Sequence, residues 1–270
     1  RRQQTRLPAR GFGPQVWGAQ VSGPERVVIG NAELWNINCL DLMRLMPDAA
    51  FDLAIVDPPY FDGPNKSGYY GKGFSSLGVQ RAKHYDSLPA WEIPGTEYFE
   101  QLTRVSRHQI IWGANHFADR FNAASPSWIV WDKDNGASSF ADVELAYCSM
   151  DCAARMFRYM WNGMHQGQRG GNKKLNESRI HPTQKPVALY EWLIDRYAEP
   201  GMRVLDTHLG SGSSAIAANR SAVQFVGTEI DPAMFSAACD RIRRHQAQGQ
   251  MFAPEVAAPV QEAFDMGAAA

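Results

Sequence analysis

The sequence predicts an α/β protein: one domain on a mostly parallel sheet, with helices on both faces. Three observations carry that expectation. Short apolar runs bounded by turn residues alternate with stretches of helical spacing. A glycine-rich turn joins strand to helix in VLDTHLGSGSSAIAANR (204–220). And 270 residues at 44% hydrophobic can bury one large core or two modest ones.

The elements follow in chain order. Residues 1–25, rich in Gly, Pro, Gln and Arg, read as a flexible arm ahead of a single domain over 26–246. AELWNI (32–37) reads as a strand and CLDLMRLM (39–46) as a short helix. FDLAIV (51–56) reads as a second strand, short, largely apolar and bounded by turn residues. The aperiodic, Gly- and aromatic-rich text over 61–92 is a long loop, of the kind that usually carries function. TEYFEQLTRVSR (96–107) has helical spacing at Phe99, Leu102 and Val105. QIIWG (109–113), SWIVWDK (127–133), VELAYCSM (143–150) and RMFRYMW (155–161) read as strands. A Gly-rich basic loop or insertion follows over 162–180. PVALYEWLIDRYA (186–198) restarts a helix with Pro in its first turn. RVLD (203–206) and QFVGTE (224–229) are strands flanking the turn and a helix that starts near Ser213. DPAMFSAACDRIRRH (231–245) closes the domain, with Asp231 as N-cap, and 247–270 read as a disordered tail.

Bulk properties restrict the function. The net charge is −1, so any nucleic-acid contact must come from a local basic surface. RRQQTRLPAR leads into no apolar segment, so no secretory signal is expected there. No run of about 18 apolar residues exists to span a membrane. Cys39, Cys148, Cys152 and Cys239 are scattered without a CxxC pair, which argues for reduced thiols in a cytoplasmic protein and no metal.

Two motifs point to chemistry. IVDPPY (55–60) ends a buried strand with an acid, two prolines and an aromatic, at the sheet edge where ligands bind. Asp57 offers an acceptor carboxylate there. Pro58 and Pro59 have fixed φ and no N–H, so their carbonyls point in set directions, and Tyr60 supplies a flat face. Together they could grip a flat, amine-bearing ring. In the second motif, Gly210 and Gly212 allow a tight turn and close backbone approach, and the next helix offers N–H groups at Ser213. Asp206 ends that strand. Glu229 ends the next one, about 20 residues on, where an acid can accept from ribose hydroxyls. This turn implies a nucleoside-containing cofactor without deciding which.

In the order DPPY (57–60), HPTQKP (181–186), DTHLGSGS (206–213), the chain resembles the amino-methyltransferases of DNA in their β-class arrangement. EYFEQLTRVSRHQIIWGANHF (97–117) and WIVWDK (128–133) look like the subset encoded by phages and prophages. The resemblance covers roughly residues 30–245. It implies a Rossmann-like methyltransferase fold, S-adenosylmethionine as cofactor, and Asp57, Pro58, Pro59 and Tyr60 as the holder of a target amine. It places Asn38, Cys39, Asp57, Thr183, Lys185, Asp206, His208, Gly210, Ser211, Gly212, Ser213, Glu229 and Ile230 around the cofactor. Thr183 and Lys185 would then lie near its methionine carboxylate. Three positions depart from the family pattern. Thr207 and His208 replace a Pro-Phe pair, and Asn38 stands where Asp is common; its amide oxygen can still accept from an adenine amine.

The resemblance further implies double-stranded DNA as partner, with the target base flipped out, in a bacterial or phage-infected cytoplasm. The chain would act as a monomer or homodimer, with or without a companion restriction endonuclease. Asp57 favours adenine N6, because relatives acting on cytosine N4 more often carry Ser there; cytosine is the alternative. From another class, the alternative is a non-catalytic DNA-binding module that keeps the fold. The basic residues Arg169, Lys173, Lys174 and Arg179 suit phosphate contacts. Lys66 and Lys72, interleaved with Tyr69, Tyr70 and Phe74, could close over the target strand. Asn115 and His116 follow a strand end and either line the pocket or pack beside it.

Overall fold

Strands dominate the computed structural model, which describes residues 25–61, 91–136, 141–161, 166–167 and 176–251. In chain order these form β1 (Glu25–Ile29), β2 (Ala32–Asn36), α1 (Cys39–Leu45), β3 (Phe51–Val56), α2 (Thr96–Val105), β4 (Ser106–Trp112), β5 (Trp128–Asp132) and β6 (Val143–Cys148). There follow β7 (Arg155–Arg158), β8 (Met160–Trp161), β9 (Gln166–Gly167), α3 (Val187–Tyr197), β10 (Arg203–Asp206), α4 (Ser213–Asn219), β11 (Gln224–Glu229) and α5 (Pro232–Met251).

Nine strands make one sheet in the order β1-β2-β11-β10-β3-β4-β6-β5-β7, and β8 pairs with β9 apart from it. The run β2-β11-β10-β3-β4 is parallel throughout. β1 and β6 run against their neighbours. The central strands are buried on both faces, which explains their continuous apolar runs. Leu53, Ile55, Ile110 and Trp112 gather with Leu193, Ile216 and Phe235 of the helices on one side. Phe51, Ala54, Val56 and Ile111 gather with Leu42 and Met43 of α1 and with Phe99 and Leu102 of α2 on the other. α2 buries Tyr98, Phe99, Leu102 and Val105. Each such side chain contributes about 1.5–3 kcal/mol of burial.

Four boundaries differ from the sequence expectation. β1 starts at Glu25, inside the presumed arm, where the Arg26–Glu33 pair at 2.9 Å bridges it to β2. α2 stops at Val105 because Ser106 caps it, donating from both backbone N–H and Oγ to the Leu102 carbonyl, and then pairs with Phe51. The 155–161 run splits, since Tyr159 N–H binds the Asp132 carbonyl while β8 turns away to β9. α5 continues past the expected end to Met251.

The topology brings one edge of the sheet to a focus. β2, β3, β10 and β11 are parallel, so the residues after their carboxyl ends (Asn38, Asp57, Thr207 and Glu229) lie on the same side. β6 is antiparallel, so its beginning, Glu144, meets that edge, beside Lys133 at the end of β5. This is the rule that ligands of open α/β sheets bind beyond the strand carboxyl ends.

Candidate active site

A cleft of ≈ 900 Å³ opens at this edge, lined by Asn38, Cys39, Asp57 to Phe61, Lys185 and the 207–211 turn, with Glu229 and Ile230 opposite. Sites for drug-sized ligands span about 300–1,000 Å³, so this one has room for a nucleoside cofactor beside a single base.

The Asp-Pro-Pro-Tyr corner begins where β3 stops. Asp57 Oδ2 accepts from Lys185 Nζ at 2.5 Å. Burial pushes the Asp57 carboxyl up, and Lys185 opposes without cancelling the rise. Tyr60 seats its ring over Gly113, whose φ of +66° and missing Cβ leave the space; a Cβ there would stand 2.5 Å from Tyr60 Cδ1. His116 then stacks on Tyr60 at 4.4 Å between centroids. Of the two residues left between pocket and packing, His116 therefore backs Tyr60, and both His116 and Asn115 are exposed. Burial pushes the Tyr60 hydroxyl to about 12, so it stays neutral.

Lys185 is placed differently from the expectation. Its amine is committed to Asp57 and, at 3.1 Å, to Glu144 Oε2, rather than lying open toward a cofactor carboxylate. Glu144 also holds Lys133 at 2.5 Å. Sequence reasoning missed both Glu144 and Lys133. The available signal was an acid inside an otherwise apolar strand, VELAYC, near a lysine at a strand end. Burial raises the Glu144 carboxyl, but its two cationic neighbours win and hold it at about 2. Thr183 lines the cleft with its Oγ1 3.1 Å from His181 Nδ1. Burial, then Lys185, lower the His181 imidazole to about 4, so it is neutral.

The glycine turn is built on Asp206, which is 1% exposed. Its Oδ1 accepts from His208 N–H at 3.0 Å and its Oδ2 from Ser214 Oγ at 2.6 Å. Asp206 thus holds the turn from beneath and does not line the cleft, a correction to its expected cofactor contact. Burial pushes its carboxyl to about 7, against the Ser214 bond. Gly212 and Ser213 are corrected likewise. A Cβ on Gly212 would lie 2.8 Å from Ile242 Cδ1, so this glycine admits α5, while Ser213 Oγ donates to the Lys185 carbonyl at 2.8 Å. Gly210, with φ +50°, faces the cleft. Its N–H donates to Glu229 Oε2 at 2.9 Å, and Asp231 N–H donates to Oε1 at 3.0 Å. Each carboxylate oxygen keeps a further acceptor site.

Three positions that depart from the expected pattern are explained by their neighbours. Thr207 Oγ1 lies 2.5 Å from the Tyr98 hydroxyl and 2.9 Å from His208 Nδ1. The His208 ring meets Tyr98 edge-on at 5.5 Å, and burial lowers it to about 4, keeping a neutral, flat side chain in the cleft. Asn38 Oδ1 caps α1 through Leu40 N–H at 2.9 Å, so its oxygen serves the helix first. Cys39 lines the cleft beside it, with its thiol pushed to about 12 by burial.

Arg179 departs from the expected phosphate-facing loop. Its guanidinium lies over the Trp161 ring at 4.6 Å and lines the cleft. Lys66, Lys72, Arg169, Lys173 and Lys174 lie outside the described residues, as do Tyr69, Tyr70 and Phe74. Arg241 of α5 donates to the Ser211 carbonyl at 2.8 Å and to Glu177 Oε2 at 2.7 Å, tying the turn to the segment before α3. Among the described residues, no three His, Cys, Asp or Glu gather as a metal site, and no helix is long and apolar enough to cross a membrane.

Parallel strands that deliver functional side chains to one edge, with a glycine turn hydrogen-bonded to the next strand's terminal acid, define a doubly wound fold that binds a nucleoside-containing cofactor. The chain belongs to the DNA methylase family (N6_N4_Mtase), whose model matches residues 51–240. YubD of Escherichia coli (strain K12), by its description a methylase, is 33% identical over 205 residues, which are 72% of this chain and 82% of that protein. The crystal structure of the M1.HpyAVI–SAM complex shares the fold at a TM-score of 0.50 and 18% identity, over 78% of this chain and 99% of that one. The cytosine-N4-specific PvuII DNA methyltransferase gives a TM-score of 0.49 at 15% identity, over 81% of this chain and 92% of that one.

Proposed function

We propose that the protein transfers a methyl group from S-adenosylmethionine to the N6 amine of an adenine flipped out of duplex DNA. One observation carries this reading: the Asp57 carboxylate, pinned by Lys185 at 2.5 Å, shares a cleft with the Gly210–Glu229 turn. S-adenosylmethionine, when bound, supplies an electrophilic methyl on a cationic sulfur. Glu229 is the residue to accept from its ribose, with Gly210, Ser211 and His208 against the nucleoside.

The chain's own residues prepare the nucleophile. An adenine amine is a weak one, because its lone pair is delocalised into the ring. Lys185 holds Asp57 Oδ2, which makes Oδ1 the oxygen for one amine N–H, and the Pro58 carbonyl takes the other. With both protons held, the nitrogen can pyramidalise and direct its lone pair to the methyl carbon. The positive charge arriving on nitrogen with the methyl group would sit beside the Asp57 carboxylate. The surplus proton then leaves the nitrogen to Asp57 or water. Positioning and electrostatics together supply several kcal/mol of such a barrier reduction. A stacked base cannot reach the cleft, so extrusion costs a few kcal/mol, offset in part by stacking on Tyr60.

The test is incubation with methyl-labelled S-adenosylmethionine and methyl-free genomic DNA, followed by nucleoside analysis. Label in N6-methyladenine is expected. Label in N4-methylcytosine would replace the target base, and DNA binding without label would leave a non-catalytic module.

A further inference from the structure

Four charged side chains from four places in the chain meet under the Asp57 corner. Lys185 Nζ stands 2.5 Å from Asp57 Oδ2 and 3.1 Å from Glu144 Oε2, with its side chain only 5% exposed. Glu144 Oε1 lies 2.5 Å from Lys133 Nζ. Cation and carboxylate thus alternate from β3 to the β5–β6 pair. The Trp112 ring, fully buried, lies 5.6 Å from Lys185 Nζ and closes the site to water on that side.

We propose that Lys185 and Glu144 act as a positioning pair that fixes both the orientation and the ionisation of Asp57, with Lys133 anchoring Glu144. The proposal rests on the methyl-transfer reading above, in which Asp57 must be ionised to accept the amine proton. It follows from a count of charges in a largely buried cluster on the cleft wall, where the Asp57 and Glu144 side chains are only 18% and 20% exposed. Two carboxylates alone there could not both ionise. One lysine between them permits it, and the second lysine makes Glu144 the better-supported anion. Asp57, with one cation, is left as the marginal member, so a proton entering the cluster settles on it. Burial raising Asp57 while the lysines lower Glu144 agrees with that division.

The other groups facing Asp57 do not change the order. Asp206 of β10 adds a further acid, which also disfavours the Asp57 anion. Tyr60, Tyr98 of α2 and Tyr190 of α3 are held neutral by burial. His181, beside Lys185, is neutral as well. Control of Asp57 therefore lies with Lys185, Glu144 and Lys133.

A positioning pair of this kind has a signature that a structural salt bridge lacks, because its two members push Asp57 in opposite directions. Without Glu144 a repelling anion is gone, so Asp57 ionises more readily. Without Lys185 the attracting cation is gone, so it ionises less readily. The experiment uses the full chain with Glu144→Gln, Lys185→Met, Lys185→Arg and Lys133→Met. It reads the carbon-13 titration of the Asp57 carboxyl without cofactor, and the pH profile of single-turnover transfer to unmodified duplex DNA. Glu144→Gln should move the Asp57 midpoint and the acid limb to lower pH. Lys185→Met should move both to higher pH, each by at least about one unit, the lower end for a direct charge partner. Lys133→Met should follow Lys185→Met with a smaller shift, and Lys185→Arg should restore the parent profile.

If Lys185→Met does not fold, the opposed shifts of Glu144→Gln and Lys133→Met decide the matter alone. Shifts in one direction for all variants, or an Asp57 midpoint that does not move, overturn the proposal. A parent chain that transfers no methyl while Asp57 titrates as stated overturns the methyl-transfer reading and leaves the pair standing.

Discussion

His116 lies flat against Tyr60, ring centroids 4.4 Å apart and planes 1° apart. One face of Tyr60 is thereby covered, and on the proposed reading the ring stacks on the extruded base. Tyr60→Ala should therefore slow methyl transfer less on a mismatched target than on a paired one, because unpairing costs less there. Single-turnover rates on the two duplexes check this, and equal losses would sink the stacking role. His116→Ala should give a weaker version of the same pattern, on the order of 0.5–1.5 kcal/mol for a lost aromatic contact.

The Tyr60 seat depends on Gly113. An added methyl would stand 2.5 Å from Tyr60 Cδ1 and would force a residue with φ +66° into strain. Gly113→Ala should cost about 1–3 kcal/mol of stability and impair transfer, while leaving cofactor affinity near the parent value. Urea unfolding beside calorimetry of cofactor binding separates these effects.

Asp57→Ala should abolish transfer with cofactor affinity kept within a few-fold. A mutant keeping more than about a tenth of the rate, a loss under ~1.4 kcal/mol, would show that Asp57 does not hold the amine. It should also unfold more easily, since Lys185 loses its nearer carboxylate and retains Glu144 at 3.1 Å.

Glu229→Ala should show the reverse, weakening the cofactor with DNA affinity largely kept. Both carboxylate oxygens also brace the turn through Gly210 and Asp231 N–H groups. Glu229→Gln, which keeps one acceptor oxygen, should therefore lose less than Glu229→Ala. An unchanged cofactor dissociation constant in both would remove Glu229 from the site.

His208 gives a pH prediction. Burial holds its folded-state pKa at about 4, below the ordinary value of 6.5, so the fold requires the neutral ring. Stability from this group is fully present above 6.5 and is lost as pH falls toward 4. His208→Phe removes the titration. Between pH 7.5 and 5 the unfolding free energy of the variant should gain about 2 kcal/mol relative to the parent. A constant difference across that range would mean that His208 is not buried as a neutral ring.

A chain of net charge −1 must still bind DNA through a local basic surface. Replacing Arg169, Lys173 and Lys174 with Gln should weaken binding to all sequences alike and reduce the salt slope by roughly 0.9 per lost phosphate contact. Arg179, stacked on Trp161 in the cleft, should behave differently: its replacement should impair transfer more than it changes the salt slope. A salt slope unaffected by the triple change would move the phosphate contacts to other residues.

The sheet was legible because doubly buried strands are written as apolar runs, as in LAIV (53–56) and IIW (110–112). Asp57 and Gly210 were legible because a strand-end acid before two prolines and a glycine turn before a helix each have a local spacing. The Lys185–Glu144–Lys133 chain was not, since its members meet only through the register that sets Trp131 opposite Glu144 and through the segment before α3. Asp206 shows a different limit. A strand-end acid can face the cleft or turn back to its own backbone, and only the positions of His208 N–H and Ser214 Oγ decide. Gly212 was ambiguous for a related reason: the sequence shows that a side chain is absent, and the fold shows that Ile242 needs the space.

Arg241 has a bearing on where this protein can be cut. The match to the family model ends at residue 240, one position before it. A fragment trimmed to that border would retain every strand of the sheet and every residue proposed to touch cofactor or base. It would nonetheless lose the guanidinium that joins the Ser211 carbonyl to Glu177, and the Ile242 side chain wedged beside Gly212. Glu177 would be left half-buried without its cation, while still holding the first N–H of α3 at 3.0 Å. The functional boundary therefore lies within the last helix, past the end of that match, and is set by a strut that carries no chemistry of its own.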